Sequence, residues 1–396
     1  MDGEVSELIW TDEQREIQAL AHDFAEKELR PATSGWDADR DLDDGIFDKL
    51  GEVGFLGMLI PEEYGGLDLD LGTYLLVIEE LAWGDASTAL AVAIHNGPVA
   101  GLVRGYGTPA QRERWLPILA SGSHLGAFAL SEPGAGSDPS LVRTVAEPVD
   151  AGWLLTGEKR WVTNGARAGL VVVFARTGDD TLGAFLVDPE AAGYSVGGRE
   201  VTLGLRASQT VTVTLDRFEV PPDALLGDPQ RGLSYALSAL DVGRAGVAAQ
   251  AVGIGRAAME HAAKYSLVRK QFGEEIARFG AVQAKLAEMA RQISGARLLA
   301  HAAADAITAA ANGQGHARKG LDGATARAAM AKLAASEAAS WAADEAIQIY
   351  GGYGYMKHYP VEQLLRDAKG TEIYEGTSEI MRHVVAREVL RDAAES

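Results

Sequence analysis

After Gly232 the chain never returns to a β-rich texture. Long Ala-rich segments at about 233–266, 281–312, 322–348 and 378–394 carry apolar residues at a/d-like spacing, which commits this part to a four-helix bundle. Val282, Leu286, Met289, Ile293 and Ala296 make the stripe plain. Ala248, Ala251 and Gly255 are small enough to let neighbouring helices, or neighbouring subunits, come close. From Thr11 to about Ala120 the pattern is also helical. Thr11 with Gln14 makes a capping box, Ile17, Leu20, Ala21 and Phe24 recur at helical spacing, and Pro31 stops the run. Ile46–Val53 and Tyr74–Trp83 are periodic segments separated by the Gly65-Gly66 turn, and Thr108-Pro109 starts a helix reaching Leu119.

Between the two helical stretches lie short β-rich runs: Ala127–Leu130, Trp153–Thr156, Leu170–Ala175, Ala184–Val187 and Thr210–Leu215. The predicted fold is α+β, mainly α. It has an N-terminal helical domain over 1–124, a small middle β domain (barrel or sandwich) over 125–232, and a C-terminal four-helix bundle over 233–396. A hydrophobic content of 47% supplies the cores.

Composition removes whole classes of function. A net charge of −20 argues against a nucleic-acid partner, because phosphate binding needs a positive surface. With no cysteine, thiol nucleophiles, disulfides, zinc ribbons and iron–sulfur ligation by the chain are excluded. The histidines, at 22, 95, 124, 261, 301, 316, 358 and 383, form no i, i+4 pair, so no metal is expected. Asp37, Asp39 and Asp41 open like a calcium loop, but Leu42 and Asp48 stand where Gly and Glu are needed, and a solvated acidic loop is expected instead. Gly134-Ala135-Gly136 lacks the third glycine of a dinucleotide fingerprint. The acidic start has no basic segment followed by an apolar one, which predicts a cytoplasmic location, and no run of about 18 apolar residues predicts a membrane span.

Two motifs carry chemistry. In Phe128-Ala129-Leu130-Ser131-Glu132-Pro133-Gly134-Ala135-Gly136-Ser137-Asp138 a β-run empties into a Gly-rich loop bearing side-chain oxygens, a layout that lets backbone amides and hydroxyls approach a large polar ring. The second runs from Gln348-Ile349-Tyr350-Gly351-Gly352-Tyr353-Gly354-Tyr355 through Tyr359-Pro360-Val361-Glu362 and Arg366-Asp367-Ala368 to Ile373-Tyr374-Glu375-Gly376-Thr377-Ser378-Glu379-Ile380. Both, in this order and with this helix–strand–helix texture along essentially the whole chain, resemble the acyl-CoA dehydrogenase family. The stretches Leu240-Asp241-Val242-Gly243-Arg244 and Ala331-Lys332-Leu333-Ala334-Ala335-Ser336-Glu337 are most similar to its short-chain members.

The resemblance implies FAD as cofactor. Phe128, Leu130, Ser131 and Gly136 then lie along the isoalloxazine, Ser137 reaches both FAD and the pantetheine arm, and Trp161, Val162 and Thr163 sit beside the ring. Thr377, Ser378 and Glu379 complete the flavin contacts. Arg269, Gln348, Gly351 and Gly352 are implied to bind the diphosphate and adenosine across a subunit interface, hence a homo-oligomer, a tetramer built as a dimer of dimers. Gly280 stands where the family often has a Gln on the adenosine, a contact that Gln283 or a nearby amide would replace. Asp241, Arg244 and Gly376 line the acyl-CoA site.

Glu375 is the implied base. It takes the α-proton while a hydride leaves the β-carbon for flavin N5, giving the trans-2-enoyl thioester, and its own N–H is an oxyanion donor. Burial would raise its pKa and the following helix N-terminus would lower it, a balance the sequence leaves open. Some members carry the base one residue before the arginine at 244, where this chain has Gly243. The expected substrate is a short or branched short acyl-CoA, with electrons passing to an electron-transfer flavoprotein. The alternatives are a flavin oxidase of the same fold, a carrier-protein thioester as substrate, or a non-catalytic FAD-binding scaffold.

Overall fold

The computed structural model describes residues 10–313 and 320–395; the first nine residues of the start, which were read for a leader, and His316 lie outside the described residues. Both predicted helix starts form. The Thr11 hydroxyl accepts from the Gln14 N–H at 3.1 Å while the Gln14 side chain caps the Thr11 N–H, and Thr108 with Gln111 repeats the device. The first helix, α1 (Asp12–Phe24), continues as a π turn through Leu29, followed by α2 (Thr33–Asp39), α3 (Gly45–Glu52), α4 (Leu71–Gly84) and α5 (Ala86–Ile94). A π segment around Pro98 joins α5 to α6 (Gly101–Tyr106), and α7 (Pro109–Ser121) closes the layer.

The joined run Ala86–Tyr106 is long and apolar enough to cross a membrane by composition, but it is almost wholly buried inside the protein. His95, Asn96 and Arg104 interrupt it in the sequence. His95 ties this helix to the next domain: its Nε2 faces the carbonyls of Leu56 and Leu119 at 2.9 and 3.1 Å, and its Nδ1 accepts from the Gly126 N–H at 2.9 Å. Burial pushes its pKa down to about 4, so it is a neutral strut.

Gly126 opens the β domain, whose strands are β1 (Leu125–Ala129), β2 (Val145–Val149), β3 (Gly152–Val162), β4 (Ala168–Arg176), β5 (Leu182–Val187), β6 (Tyr194–Arg199), β7 (Val211–Val220) and β8 (Leu225–Leu226). They pair in the order β6-β7-β3-β2-β4-β5-β8, with β1 running parallel beside β4. The continuous apolar run in β4 has a simple cause. Val171 and Val173 fill the β core, while Leu170, Val172 and Phe174 pack into the large helical core, so both faces are dry. Sequence patterning missed β2 and β6, which are largely exposed and carry no alternation, and it stopped β3 short of its charged second half.

The bundle is α8 (Gly232–Val268), then, after a two-stranded β9–β10 finger (Lys270–Gln271, Glu274–Glu275), α9 (Gly280–Ala311) and α10 (Ala324–Tyr350), with α12 (Ser378–Glu395). A further helix, α11 (Val361–Thr371), lies inside the stretch that the sequence offered only as a motif. Ala248, Ala251 and Gly255 pack within the chain rather than at a subunit face. Of the α8 glycines, Gly253 has the tightest surroundings: a β-carbon there would stand 2.3 Å from the Glu79 carbonyl, so α4 joins the bundle.

The acidic stretch after α1 is not simply solvated. Asp37 pairs with Arg366 at 2.8 Å and Arg206 at 3.3 Å, and Asp41 with Arg199 at 2.8 Å and Arg167 at 3.0 Å. These pairs pin α2 to the β domain and to α11, immediately before the turn that carries Glu375.

Candidate active site

The turn between α11 and α12 is held in an unusual backbone shape. Glu375 has φ +56° and Gly376 φ +102°, and a left-handed non-glycine residue costs on the order of 1–3 kcal/mol, so other contacts must impose it. Four supply the constraint. Arg244 Nε donates to the Glu375 carbonyl at 3.2 Å, and Lys332 Nζ to the Gly376 carbonyl at 2.6 Å. The Tyr374 hydroxyl donates to Gln250 Oε1 at 2.7 Å, and the Ser378 N–H to the Glu372 carbonyl at 3.0 Å. Two long helices, α8 and α10, thus fix consecutive peptides of one turn.

The Glu375 side chain lies against α8 at the residue without a side chain: a β-carbon on Gly243 would stand 2.8 Å from Glu375 Oε2. That oxygen is enclosed and has no hydrogen-bond partner. Burial pushes the carboxyl up to about 7, against the lowering pull of the Arg244 and Lys332 cations. The balance the sequence left open therefore falls to desolvation. The Glu375 N–H has no partner among the described residues and is free to donate. A carboxylate of this kind can take a proton from carbon while the adjacent N–H receives developing negative charge.

Asp241 and Arg244 are not a solvated helix pair. They meet at 2.8 Å, Arg244 is buried, and the Thr325 hydroxyl holds the second Asp241 oxygen at 2.6 Å. Lys332 was quoted in the sequence only as part of a resemblance. It is fully buried, and burial pulls its ammonium down to about 8. A lysine in an Ala-rich helix reads as a surface residue; only its neighbours across the bundle reveal otherwise.

The other group of expected flavin residues lies on β1, its loop and β3. Phe128 packs on Phe174 with ring centroids 5.1 Å apart, and the Ser131 carbonyl accepts from the Arg160 N–H at 2.9 Å. Space beside Gly134 and Gly136 is open, with nothing within 4 Å of an added β-carbon, and Ser137 is exposed. In β3 a bulge opposite β7 turns Lys159 and Val162 inward and Arg160 and Trp161 outward. Trp161 has φ +58° and is 54% exposed. Val162 differs from expectation: its side chain fills the β core, leaving only its backbone for a ligand. Thr163 is half-buried, as is Thr377, whose hydroxyl caps α12 on the Ile380 N–H at 3.3 Å. Ser378 Oγ is enclosed without a partner, while Glu379 is exposed. An outward indole, open glycines and the unpartnered buried Ser378 Oγ fit a broad polar ring such as the isoalloxazine of FAD.

Arg269, Gln348, Gly351 and Gly352 stand elsewhere. Arg244 and Arg269 are 25 residues apart on and just past α8, about 37 Å at helical rise. Arg269 makes no ion pair among the described residues and lies 5.4 Å over the Tyr353 ring. Gln348, Gly351 and Gly352 are exposed beside it, and the Gln283 amide is taken by the Ala277 carbonyl at 3.0 Å. Leu267, Val268, Phe272 and Tyr355 leave this end of the bundle apolar and uncovered.

Three family models match in succession: acyl-CoA dehydrogenase N-terminal domain over residues 11–123, middle domain over 127–218 and C-terminal domain over 230–390. The short-chain specific mitochondrial acyl-CoA dehydrogenase of Bos taurus is 41% identical over 379 residues, 95% of this chain and 89% of that one. Butyryl-CoA dehydrogenase from Megasphaera elsdenii superposes with TM-score 0.91 at 38% identity, covering 97% of this chain and all of that one. A chain from work on the electron transferring flavoprotein of Acidaminococcus fermentans matches with TM-score 0.92 at 38% identity, over 97% of this chain and all of that chain.

Proposed function

From the premise that the chain belongs to the acyl-CoA dehydrogenase family, with FAD as cofactor and an acyl-CoA as substrate, we propose that Glu375 is the α-proton base of a short-chain dehydrogenase. The observation carrying this reading is the enclosed Glu375 Oε2, raised towards neutrality and left without any hydrogen bond. A buried carboxyl with no partner is costly, so a structure keeps one where a substrate completes it. FAD, when bound, supplies the hydride acceptor. The chain's own part is to hold the Glu375 carboxylate at the α-carbon and the Glu375 N–H at the thioester oxygen. Arg244 and Lys332 fix the turn, and their charges keep the carboxyl from rising above the working range.

The proposed length of the acyl group rests on α8. Gly243, Gly246 and Gln250 share one helix face. Glu375 closes on the first, the Tyr74 hydroxyl would be 2.9 Å from a β-carbon on the second, and Tyr374 bonds the third. Within two turns of the reacting carbons the face is filled, which favours a short chain, in keeping with the short-chain and butyryl-CoA relatives. Electron-transfer flavoprotein is the proposed acceptor, supported by the likeness to a chain from work on that flavoprotein.

The homo-oligomer reading is supported by distance. About 37 Å of helical rise separate Arg244, beside Glu375, from Arg269, so the Arg269 end, with its uncovered apolar residues, would serve a neighbouring subunit's cofactor. Arg269→Ala is expected to weaken FAD binding about 10–100-fold, the size of a lost charge-assisted bond. Flavin released on gel filtration measures it, and unchanged occupancy removes the assigned role.

Anaerobic flavin bleaching by acyl-CoAs of increasing length is the test of the whole reading. Butyryl-CoA should bleach fastest. Equal rates with long straight chains would remove the length assignment, no bleaching of FAD-loaded protein would remove the reaction, and stoichiometric peroxide in air would favour the oxidase. The bleaching rate should also depend on pH in one direction. The base works deprotonated and its carboxyl is pushed up to about 7, so the rate should fall as pH drops below about 7 and level off above it. A flat profile from pH 5 to 8, roughly the span over which such a group titrates, would remove Glu375 as the base.

A further inference from the structure

Resting on the assignment of the Leu130–Ser131 loop and the Trp161 bulge to FAD, we propose that the buried Glu132–Lys159 ion pair is the positioning device of the flavin cradle. Lys159 and Glu132 meet at 2.7 Å in the β domain, both almost free of solvent. Neither belongs to the catalytic turn, and neither was singled out by sequence, where the Glu is one letter of a loop motif and the Lys one charge in Glu158-Lys159-Arg160.

Lys159 Nζ also donates to the Leu130 carbonyl at 3.1 Å. It thereby grips the loop at the two residues flanking Ser131, while the Ser131 carbonyl is held by the neighbouring Arg160 N–H. Glu132 in turn collects the N–H groups of Arg143 and Thr144 at 2.6 and 2.9 Å and the Thr144 hydroxyl at 2.6 Å, fixing the far end of the same loop. One residue pair therefore joins three segments beneath the surface that would face the isoalloxazine.

The lysine is also where β3 leaves regular pairing. The register shifts between Lys159 and Val162, and the extra residue accommodated there is what turns Trp161 outward with a left-handed backbone. A strained bulge persists only when both sides are pinned. On the far side Asn164 is buried, with its Nδ2 donating to the Ala91 and Gly126 carbonyls at 2.9 and 3.1 Å; on the near side the pin is Lys159. Charge suits this use. A neutral pair would hold the loop by fewer bonds, whereas an ammonium and a carboxylate at full burial penalise any geometry that parts them.

The test uses the full-length protein and four readouts apart from turnover: the melting temperature of the FAD-free protein, the FAD dissociation constant from fluorescence quenching, the visible circular dichroism of bound flavin, and its midpoint potential. Lys159→Met and Glu132→Gln are compared with wild type and with Lys159→Arg. Expected are a weakening of FAD binding of about tenfold or more, and altered visible circular dichroism and midpoint potential in both neutral variants, with substantial recovery in Lys159→Arg. A folded Lys159→Met or Glu132→Gln that binds FAD with wild-type affinity and an unchanged flavin spectrum overturns the proposal. So does failure of both neutral variants to fold, which would make the pair a folding element. Should wild-type protein itself take up no FAD, the cofactor reading fails instead, a different result from selective loss in the variants.

Discussion

Replacing Glu375 by Gln should leave a yellow, ligand-binding protein whose flavin is reduced by acyl-CoA about 10²–10⁴-fold more slowly, the range for loss of a positioned general base. The side chain keeps its shape, and the turn is held by backbone bonds from Arg244 and Lys332, which the substitution does not touch. Binding and chemistry should therefore separate cleanly. Stopped-flow bleaching under anaerobic conditions reads the chemical step, and ligand-induced changes in the flavin spectrum read binding. Near wild-type bleaching would mean that another residue takes the proton. Gly243 offers no such group, and of the two charged groups that act on the carboxyl among the described residues, Arg244 and Lys332, the lysine, its ammonium pulled down to about 8, would be the alternative to test.

Gly243→Val should be almost as damaging, by a different route. The added β-carbon would stand 2.8 Å from Glu375 Oε2 and 3.0 Å from Glu375 Cδ, and a branched side chain on a helix has little freedom to turn away. The carboxyl must shift, and a misplacement of about 1 Å at a reacting centre can cost about 10²-fold. FAD affinity should change little, since the nearest cofactor-facing residues are on other elements. The measurement is the same bleaching rate beside the FAD dissociation constant. A variant that turns over normally would show that the carboxyl does not need this space.

The site was legible in unequal parts. Glu375, Gly376 and the Ser131 loop stand in contiguous motifs, because a turn that presents a carboxyl and a loop that meets a ring are local inventions of the backbone. Val162 was misread in part: local alternation cannot anticipate the bulge that sends its side chain to the core and Trp161 to the surface. Lys332, Gly243 as empty space, Tyr74, and the Glu132–Lys159 pair were silent or mute in function, since each acts on a residue far along the chain. The same holds for Asp37 and Asp41, whose partners come from the β domain and α11.

By itself the sequence determined the order of the layers and the long helices and pointed to the group proposed to accept the proton, because periodicity, caps and contiguous motifs are written in neighbours. Only the tertiary structure bears on how acidic that group is and on the short substrate proposed for it. Those properties belong to desolvation and to the sum of residues from α4, α8 and α10 that converge on one carboxyl, and no stretch of chain contains that sum.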